Sequence, residues 1–75
     1  MQRDRASIMD ILDSIELING HIGQMSKHDF WGDVKTQDSV IRRFTVIGEA
    51  VKRLSSELQE QYPDIPWKQM GGLLE

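Results

Sequence analysis

The sequence predicts an all-α protein made of two long antiparallel amphipathic helices and short helical turns. Apolar residues recur at three- and four-residue steps in two long segments, as on one face of a helix. No segment alternates apolar and polar residues in the way that is typical of a half-buried strand. Pro63 and Pro66 lie close together near the end of the chain, where they interrupt the helical pattern.

The first predicted helix runs from Arg5 to Met25 and carries an apolar stripe along its length. The stripe consists of Ile8, Ile11, Leu12, Ile15, Ile18, Ile22 and Met25. Polar residues fall largely on the opposite side. Gly20 and Gly23 weaken the last turns by up to about 1 kcal/mol each relative to alanine.

A connector, "SKHDFWGD", follows this helix. Ser26 with Asp29 three residues later resembles a capping box, which predicts a short helical turn that ends at Gly32. We expect Phe30 and Trp31 to form a plug between the helices.

The second long helix is predicted from Val34 to Gln61. Its apolar stripe consists of Val40, Phe44, Ile47, Val51, Leu54 and Leu58. The two prolines end this helix, and Trp67 to Leu74 is expected to open a third one with Pro66 near its start. Two helices alone cannot cover both apolar faces, so further helices or a second copy of the chain must meet them.

Length, composition and net charge limit the functions that this sequence can have. Seventy-five residues allow one domain, expected to span residues 1–75, and the absence of cysteine excludes disulfides and thiolate metal sites. A net charge of -3 argues against nucleic-acid binding through a broad basic surface. No apolar run approaches a membrane span, so we expect a cytoplasmic protein. His21 and His28 are interpreted as surface residues rather than metal ligands, and no cofactor is expected.

Four positions are candidates for helix contacts or anchors, namely Gly48, Trp67, Phe30 and Phe44. A glycine inside a helix costs about 1 kcal/mol relative to alanine, and close approach of another helix is the usual compensation. Arg43 and Glu49 are candidates for lining a cleft. Arg43 has no opposite charge at i±4, whereas Glu49 has the alternative of an ion pair with Arg53.

The second half of the chain resembles the HepT-like branch of the HEPN superfamily, and the resemblance extends over nearly the whole sequence. The matching positions are Phe30, Asp33, Ile47-Gly48-Glu49-Ala50, Leu54, Pro63 and Ile65-Pro66-Trp67. The pair "IGEA" and "IPW" at this spacing is the most specific part. The resemblance implies a partial HEPN helical bundle that forms a homodimer or higher oligomer.

The resemblance implies that the protein belongs to a type II toxin–antitoxin system. Family members are RNA endonucleases, encoded beside a minimal nucleotidyltransferase (MNT) that acts as the antitoxin. Their signature follows "IPW" in the form W-x-x-[IM]-x-G-x-R-N and then R-x-x-x-x-H-x-Y. An imidazole suits proton transfer in attack by a 2′-hydroxyl, and a guanidinium suits the developing phosphorane charge.

This sequence departs from that signature. Trp67, Met70 and Gly72 fit, but Leu74 stands at the arginine position and Glu75 at the asparagine position. No arginine is followed by a histidine four to six residues later, so no catalytic residue is expected in these 75 residues. Leu74-Glu75 is interpreted either as a remnant of a C-terminal affinity tag or as the end of a naturally shortened product.

Three functional hypotheses follow. The chain is the catalytically silent part of a HepT-like ribonuclease, or a non-catalytic HEPN module that binds a nucleotidyltransferase, or a plain helical oligomerisation domain. The "IGEA" and "IPW" match favours the first two, because generic helix packing does not require it.

Overall fold

The computed structural model describes residues 2–72, which form helices and short connections without a strand. The helices are α1 (Gln2–Ile22), α2 (Lys27–Trp31), α3 (Val34–Arg53), α4 (Ser56–Gln61) and α5 (Trp67–Gly71). The predicted all-α class with two long helices is confirmed. No helix among the described residues is long and apolar enough to cross a membrane. Leu74 and Glu75, on which the interpretation as a tag remnant rests, lie outside the described residues.

The two long helices pack antiparallel. The guanidinium Nη2 of Arg53, at the end of α3, lies 3.0 Å from Oδ2 of Asp10 in the first half of α1. At the other end, Ile22 of α1 and Val40 of α3 line the same small cleft. The core lies between these helices and consists of Ile11, Ile47, Ala50, Val51 and Leu54.

The side of α1 that faces α3 differs from the predicted stripe. Its buried residues are Asp4, Ser7, Ile11 and Ser14. The stripe residues Ile8, Leu12 and Ile15 stay exposed, as part of the apolar surface that the two long helices were expected to leave uncovered. The small serine side chains face the core, and the larger side chains are left on an adjoining flank of α1, which we call the α1 flank.

The ends of α1 also differ from the predicted Arg5 to Met25. The helix begins at Gln2 and ends at Ile22. Gly23 has a φ of 43°, in the left-handed region that glycine adopts most readily, and its N–H donates to the Asn19 carbonyl at 2.8 Å. This backbone conformation ends the helix three residues before the predicted boundary.

The predicted second helix from Val34 to Gln61 is two helices. Leu54 is extended, with φ -67° and ψ 141°, and separates α3 from α4. Ser55 then caps α4, because its hydroxyl accepts a hydrogen bond from the backbone N–H of Leu58 at 3.2 Å. The prediction of one continuous helix is therefore wrong, since a side-chain cap starts a new helix at this point.

The connector before α3 folds as a capped turn. The Ser26 hydroxyl accepts a hydrogen bond from the N–H of Asp29 at 3.0 Å, which confirms a short helix that starts there. Asp33 caps α3, with Oδ1 accepting from the N–H of Thr36 at 3.1 Å and Oδ2 from its hydroxyl at 2.8 Å. These two bonds, the backbone one first, lower the pKa of Asp33.

Candidate functional site

An apolar groove lies between the α1 flank and the C-terminal helices. Its volume is about 370 Å³. The lining residues are Ile8, Ile11, Leu12, Leu54, Leu58, Tyr62, Ile65, Trp67 and Met70. Because the lining is almost wholly apolar and open to solvent, this groove suits contact with another polypeptide.

Trp67 anchors the far wall of the groove. Its indole N–H lies 3.1 Å from the carbonyl oxygen of Gln59 and 3.0 Å from that of Tyr62, and donates to both. The ring is half-buried and packs against the core. One side chain thus ties the start of α5 to the end of α4 and holds the loop "YPDIP" between them.

Gly48 lies where α5 approaches α3. A Cβ atom at this position would lie 3.4 Å from the carbonyl oxygen of Gly71 and 3.6 Å from that of Met70. Gly71 in turn lies against Val51 and Lys52, with a Cβ at 3.7 Å and 3.5 Å from their side chains. The two backbones therefore approach at the glycines, with no room for a long side chain.

Arg43 and Glu49, the two cleft candidates, do not share a face of α3. They are six positions apart in the helix, which places their side chains about 120° apart around the axis. Arg43 is half-buried and makes no hydrogen bond or ion pair within residues 2–72. Glu49 pairs with Lys52 at 3.9 Å, and the expected pair with Arg53 is wrong because Arg53 binds Asp10 instead.

The two aromatic residues of the connector have different environments. Phe30 is half-buried and lines a cleft of about 350 Å³ together with Val40 and Phe44. Trp31 is exposed, so the prediction of a plug made of both rings is wrong for Trp31. The rings meet edge to face, with centroids 6.2 Å apart.

Sequence reasoning missed the contact between Asp4 and Ser55. The Asp4 carboxylate is buried and accepts hydrogen bonds from the backbone N–H and the hydroxyl of Ser55. Ser55, one position before the short segment "SELQEQ", is a recognisable N-cap signal. No local signal names its partner, because 51 residues separate the two positions.

The lining of the groove contains no histidine, aspartate or glutamate among the described residues. Within residues 2–72, His, Asp and Glu side chains form no group of three or more that could hold a metal ion. Neither His21 nor His28 lines the groove. The described residues thus form a packed helical core, a loop that is held by Trp67, and an uncovered apolar groove.

Comparison with known proteins places these features in a family. The sequence matches the family described as Ribonuclease HepT-like over residues 11–73, which include Gly48 and Trp67. The chain belongs to the HepT-like ribonuclease family of the HEPN superfamily. No solved structure matches it significantly.

Several relatives are similar to this HepT-like chain. It is 44% identical over 69 residues to a protein named "putative RNase" from Methanocaldococcus jannaschii, across 92% of this chain and 57% of the relative. It is 41% identical over 61 residues to "Probable ribonuclease HepT" from Thermococcus cleftensis, across 81% and 56%. A "Gamma-glutamylcyclotransferase and putative RNase" of M. jannaschii is 48% identical over 59 residues, across 79% and 27%. The chain spans about half the length, or less, of these curated relatives.

Proposed function

We propose that this chain is the helix-packing part of a HepT-like RNA endonuclease, which acts as the toxin of a type II toxin–antitoxin system. The family match over residues 11–73 carries the proposal, and the names of the relatives as ribonucleases support RNA as the substrate. The partner that we propose is a nucleotidyltransferase antitoxin of the MNT type, because the resemblance in "IGEA" and "IPW" implies one.

Residues 1–75 are proposed to be silent in RNA cleavage by themselves. Cleavage through a 2′-hydroxyl needs a group that transfers protons and a cation that stabilises the developing negative charge. In the family signature, a histidine and an arginine four to six residues apart supply these groups, and the 75 residues contain no such pair.

We also propose that the chain self-associates through the apolar groove and works in the cytoplasm. The groove exposes Leu12 and Ile8 on one wall and Tyr62 on the other. Burial of such side chains contributes about 1.5–3 kcal/mol for each one that is fully covered. A small domain gains from this burial, because its own core is limited.

A non-catalytic module that binds the nucleotidyltransferase is the second candidate. The apolar groove favours it, since docking of a partner needs an uncovered surface and no catalytic pair. A plain oligomerisation domain would use the same groove, but it gives no reason for the family match.

An RNA cleavage assay tests the proposal. We expect no cleavage by the 75-residue chain, and cleavage by a hybrid in which residues 1–72 precede the C-terminal remainder of the T. cleftensis relative. A hybrid in which the arginine and histidine of a family signature in that remainder are changed to alanine is the control for contaminating nuclease. Cleavage by neither protein, with retention of an MNT-type nucleotidyltransferase in a pull-down, would support the second candidate instead.

A further inference from the structure

Arg43 differs from the other cations of the chain in its surroundings. Of the lysines and arginines that the structure describes, Arg43 alone is half-buried, and the others are exposed. It makes no hydrogen bond or ion pair with any of the described residues. In a half-buried arginine the alkyl stem packs against the protein while the guanidinium reaches water. The five N–H donors of Arg43 are therefore held on a restrained stem and are available to a ligand.

Arg43 lies on a different side of the α1–α3 pair from the apolar groove. We call this side the serine face and define it by five residues, namely Ser7, Ser14 and His21 of α1 and Arg43 and Ala50 of α3. Residues seven apart in a helix lie nearly on one line, so His21 continues the line of the buried Ser7 and Ser14. For the same reason Arg43 continues the line of the buried Ala50. None of the five residues lines the apolar groove, which lies on the α1 flank.

His21 lies at the same level of the helix pair as Arg43. The small cleft between these two helices is lined by apolar residues of both, among them Ile18, Ile22, Val40 and Phe44. His21 directly precedes Ile22, and Arg43 directly precedes Phe44, so both side chains start from this level. Ser39 lies one helical turn before Arg43 on the same side of α3 and adds a hydroxyl. An imidazole, a guanidinium and a hydroxyl are thus placed at one end of the serine face.

This end of the serine face has no carboxylate to neutralise it. No acidic residue lies three or four positions from Arg43 or from His21 along its helix. Asp10 lies about three helical turns from His21 along α1 and is bound to Arg53, with 3.0 Å between Oδ2 and Nη2. The donors at this end therefore suit an added anion. A guanidinium matches the oxygens of a phosphate particularly well, because it donates to two of them at once.

We propose that Arg43, Ser39 and His21 form a subsite that binds a phosphate of the RNA backbone. The inference rests on the proposed function, because membership of a ribonuclease family identifies the anion as RNA. A phosphate contact fixes the position of the strand and carries no sequence information. The subsite therefore positions RNA and takes no part in cleavage. A single local contact of this kind is also compatible with a net charge of -3, which a broad basic surface is not.

Fluorescence anisotropy tests the subsite in the 75-residue chain. The probe is a fluorescein-labelled single-stranded RNA of about ten nucleotides. Arg43→Gln should raise Kd by about tenfold, because a charge-assisted contact is lost. It should also reduce the slope of log Kd against log salt by about 0.7, the value for one phosphate of a single strand. Arg43→Lys keeps the charge without the two-pronged geometry and should have an intermediate Kd.

Arg42→Gln is the matched control, since it removes the same charge from the neighbouring, exposed residue. Its effect on Kd should be clearly smaller than that of Arg43→Gln. The Tm of Arg43→Gln should stay near that of the wild type, because the guanidinium has no partner to lose among the described residues. Equal effects of the two glutamine variants on Kd, weaker binding that goes with a lower Tm, or absence of RNA binding by the wild type would overturn the proposal.

Arg43→Gln in the hybrid defined above separates this inference from the proposed function. We expect KM for RNA cleavage to rise by about tenfold while kcat stays near wild type, because the subsite binds RNA away from the reacting atoms. Cleavage with an unchanged KM would overturn the subsite and leave the proposed function standing. RNA binding through Arg43 by a chain whose hybrid does not cleave would support the subsite and count against the proposed function.

Discussion

Asp4 in the first turn of α1 accepts two hydrogen bonds from Ser55, at 2.8 Å from the backbone N–H and 2.7 Å from the hydroxyl. The same hydroxyl accepts from the N–H of Leu58, so Ser55 both caps α4 and ties it to α1. Leu54, directly before it, is extended and ends α3. The Asp4 carboxylate therefore stabilises the bend between α3 and α4. This bend positions α4, which contributes to one wall of the apolar groove.

Asp4→Asn should make the fold less sensitive to acid. The hydroxyl of Ser55, followed by its backbone N–H, holds the pKa of Asp4 below its ordinary value of 3.8. Its ionised form therefore contributes stability above pH 3.8, and this contribution is lost as the pH falls through the lower pKa of the folded state. The variant should melt at a lower temperature than the wild type at neutral pH, and the gap should narrow below pH 3.8.

Circular dichroism melting curves across this pH range provide the measurement. The pKa of Asp33 is also lowered, so only the difference between wild type and variant isolates the contribution of Asp4. Asp13→Asn, at an exposed position of the same helix, is the matched control. A difference in melting temperature between wild type and the Asp4 variant that stays constant with pH would contradict a stabilising role for ionised Asp4.

The local part of the fold could be predicted from the sequence. Ser26 before Asp29 gave the start of α2, and the three- and four-residue spacing gave the buried side of α3, with Val40, Ile47 and Val51. These features depend on residues close in sequence. The break at Leu54 was missed although Ser55 is a local N-cap signal, and the contact of Ser55 with Asp4 could not be predicted because 51 residues separate the two.

The orientation of α1 was missed for a related reason. Hydrophobicity favours Ile8 and Leu12 as the inward side, whereas the structure buries Ser7 and Ser14. A pattern of apolar residues shows which sides can be buried, but not which of them meets α3 within these 75 residues. For the candidate site, the cost of a mid-helix glycine indicated Gly48, and the size of its side chain indicated Trp67. Their contact partners could not be predicted, because these depend on tertiary structure.

Gly48→Ala and Gly48→Leu should have opposite effects. A Cβ fits beside the Gly71 carbonyl at 3.4 Å, so alanine should keep the Tm or raise it through a gain in helix propensity of up to about 1 kcal/mol. Leucine would push α5 away from α3, at a cost of about 1–3 kcal/mol. For a domain of this size, 1 kcal/mol corresponds to about 4–8 °C in Tm. A leucine variant that melts with the wild type would show that the two backbones do not approach at this position.

Trp67→Phe should loosen the loop "YPDIP" while leaving α1 and α3 folded. The change removes an indole N–H that donates to the carbonyls of Gln59 and Tyr62, and we expect a loss of about 0.5–1.5 kcal/mol per hydrogen bond. Hydrogen exchange should rise in α4 and α5 and stay near wild type in the centre of α3. Tyr62→Phe is the control, since it retains the backbone carbonyl that accepts the bond. Uniform acceleration across all helices would instead indicate a general loss of packing.

Leu12→Lys should weaken the self-association that we propose for the groove. Leu12 lines the groove and is 51% exposed in the single chain, so a second copy that covers it would gain much of the 1.5–3 kcal/mol typical of a buried leucine. Sedimentation of the wild type at concentrations on the order of tens of micromolar should show a dimer or larger species, a range that suits weak dimers. The lysine variant should raise Kd by about tenfold or more, which corresponds to about 1.4 kcal/mol. Leu17→Lys, outside the groove lining, should leave Kd unchanged, and a folded wild-type monomer throughout this range would exclude the groove as a self-association surface.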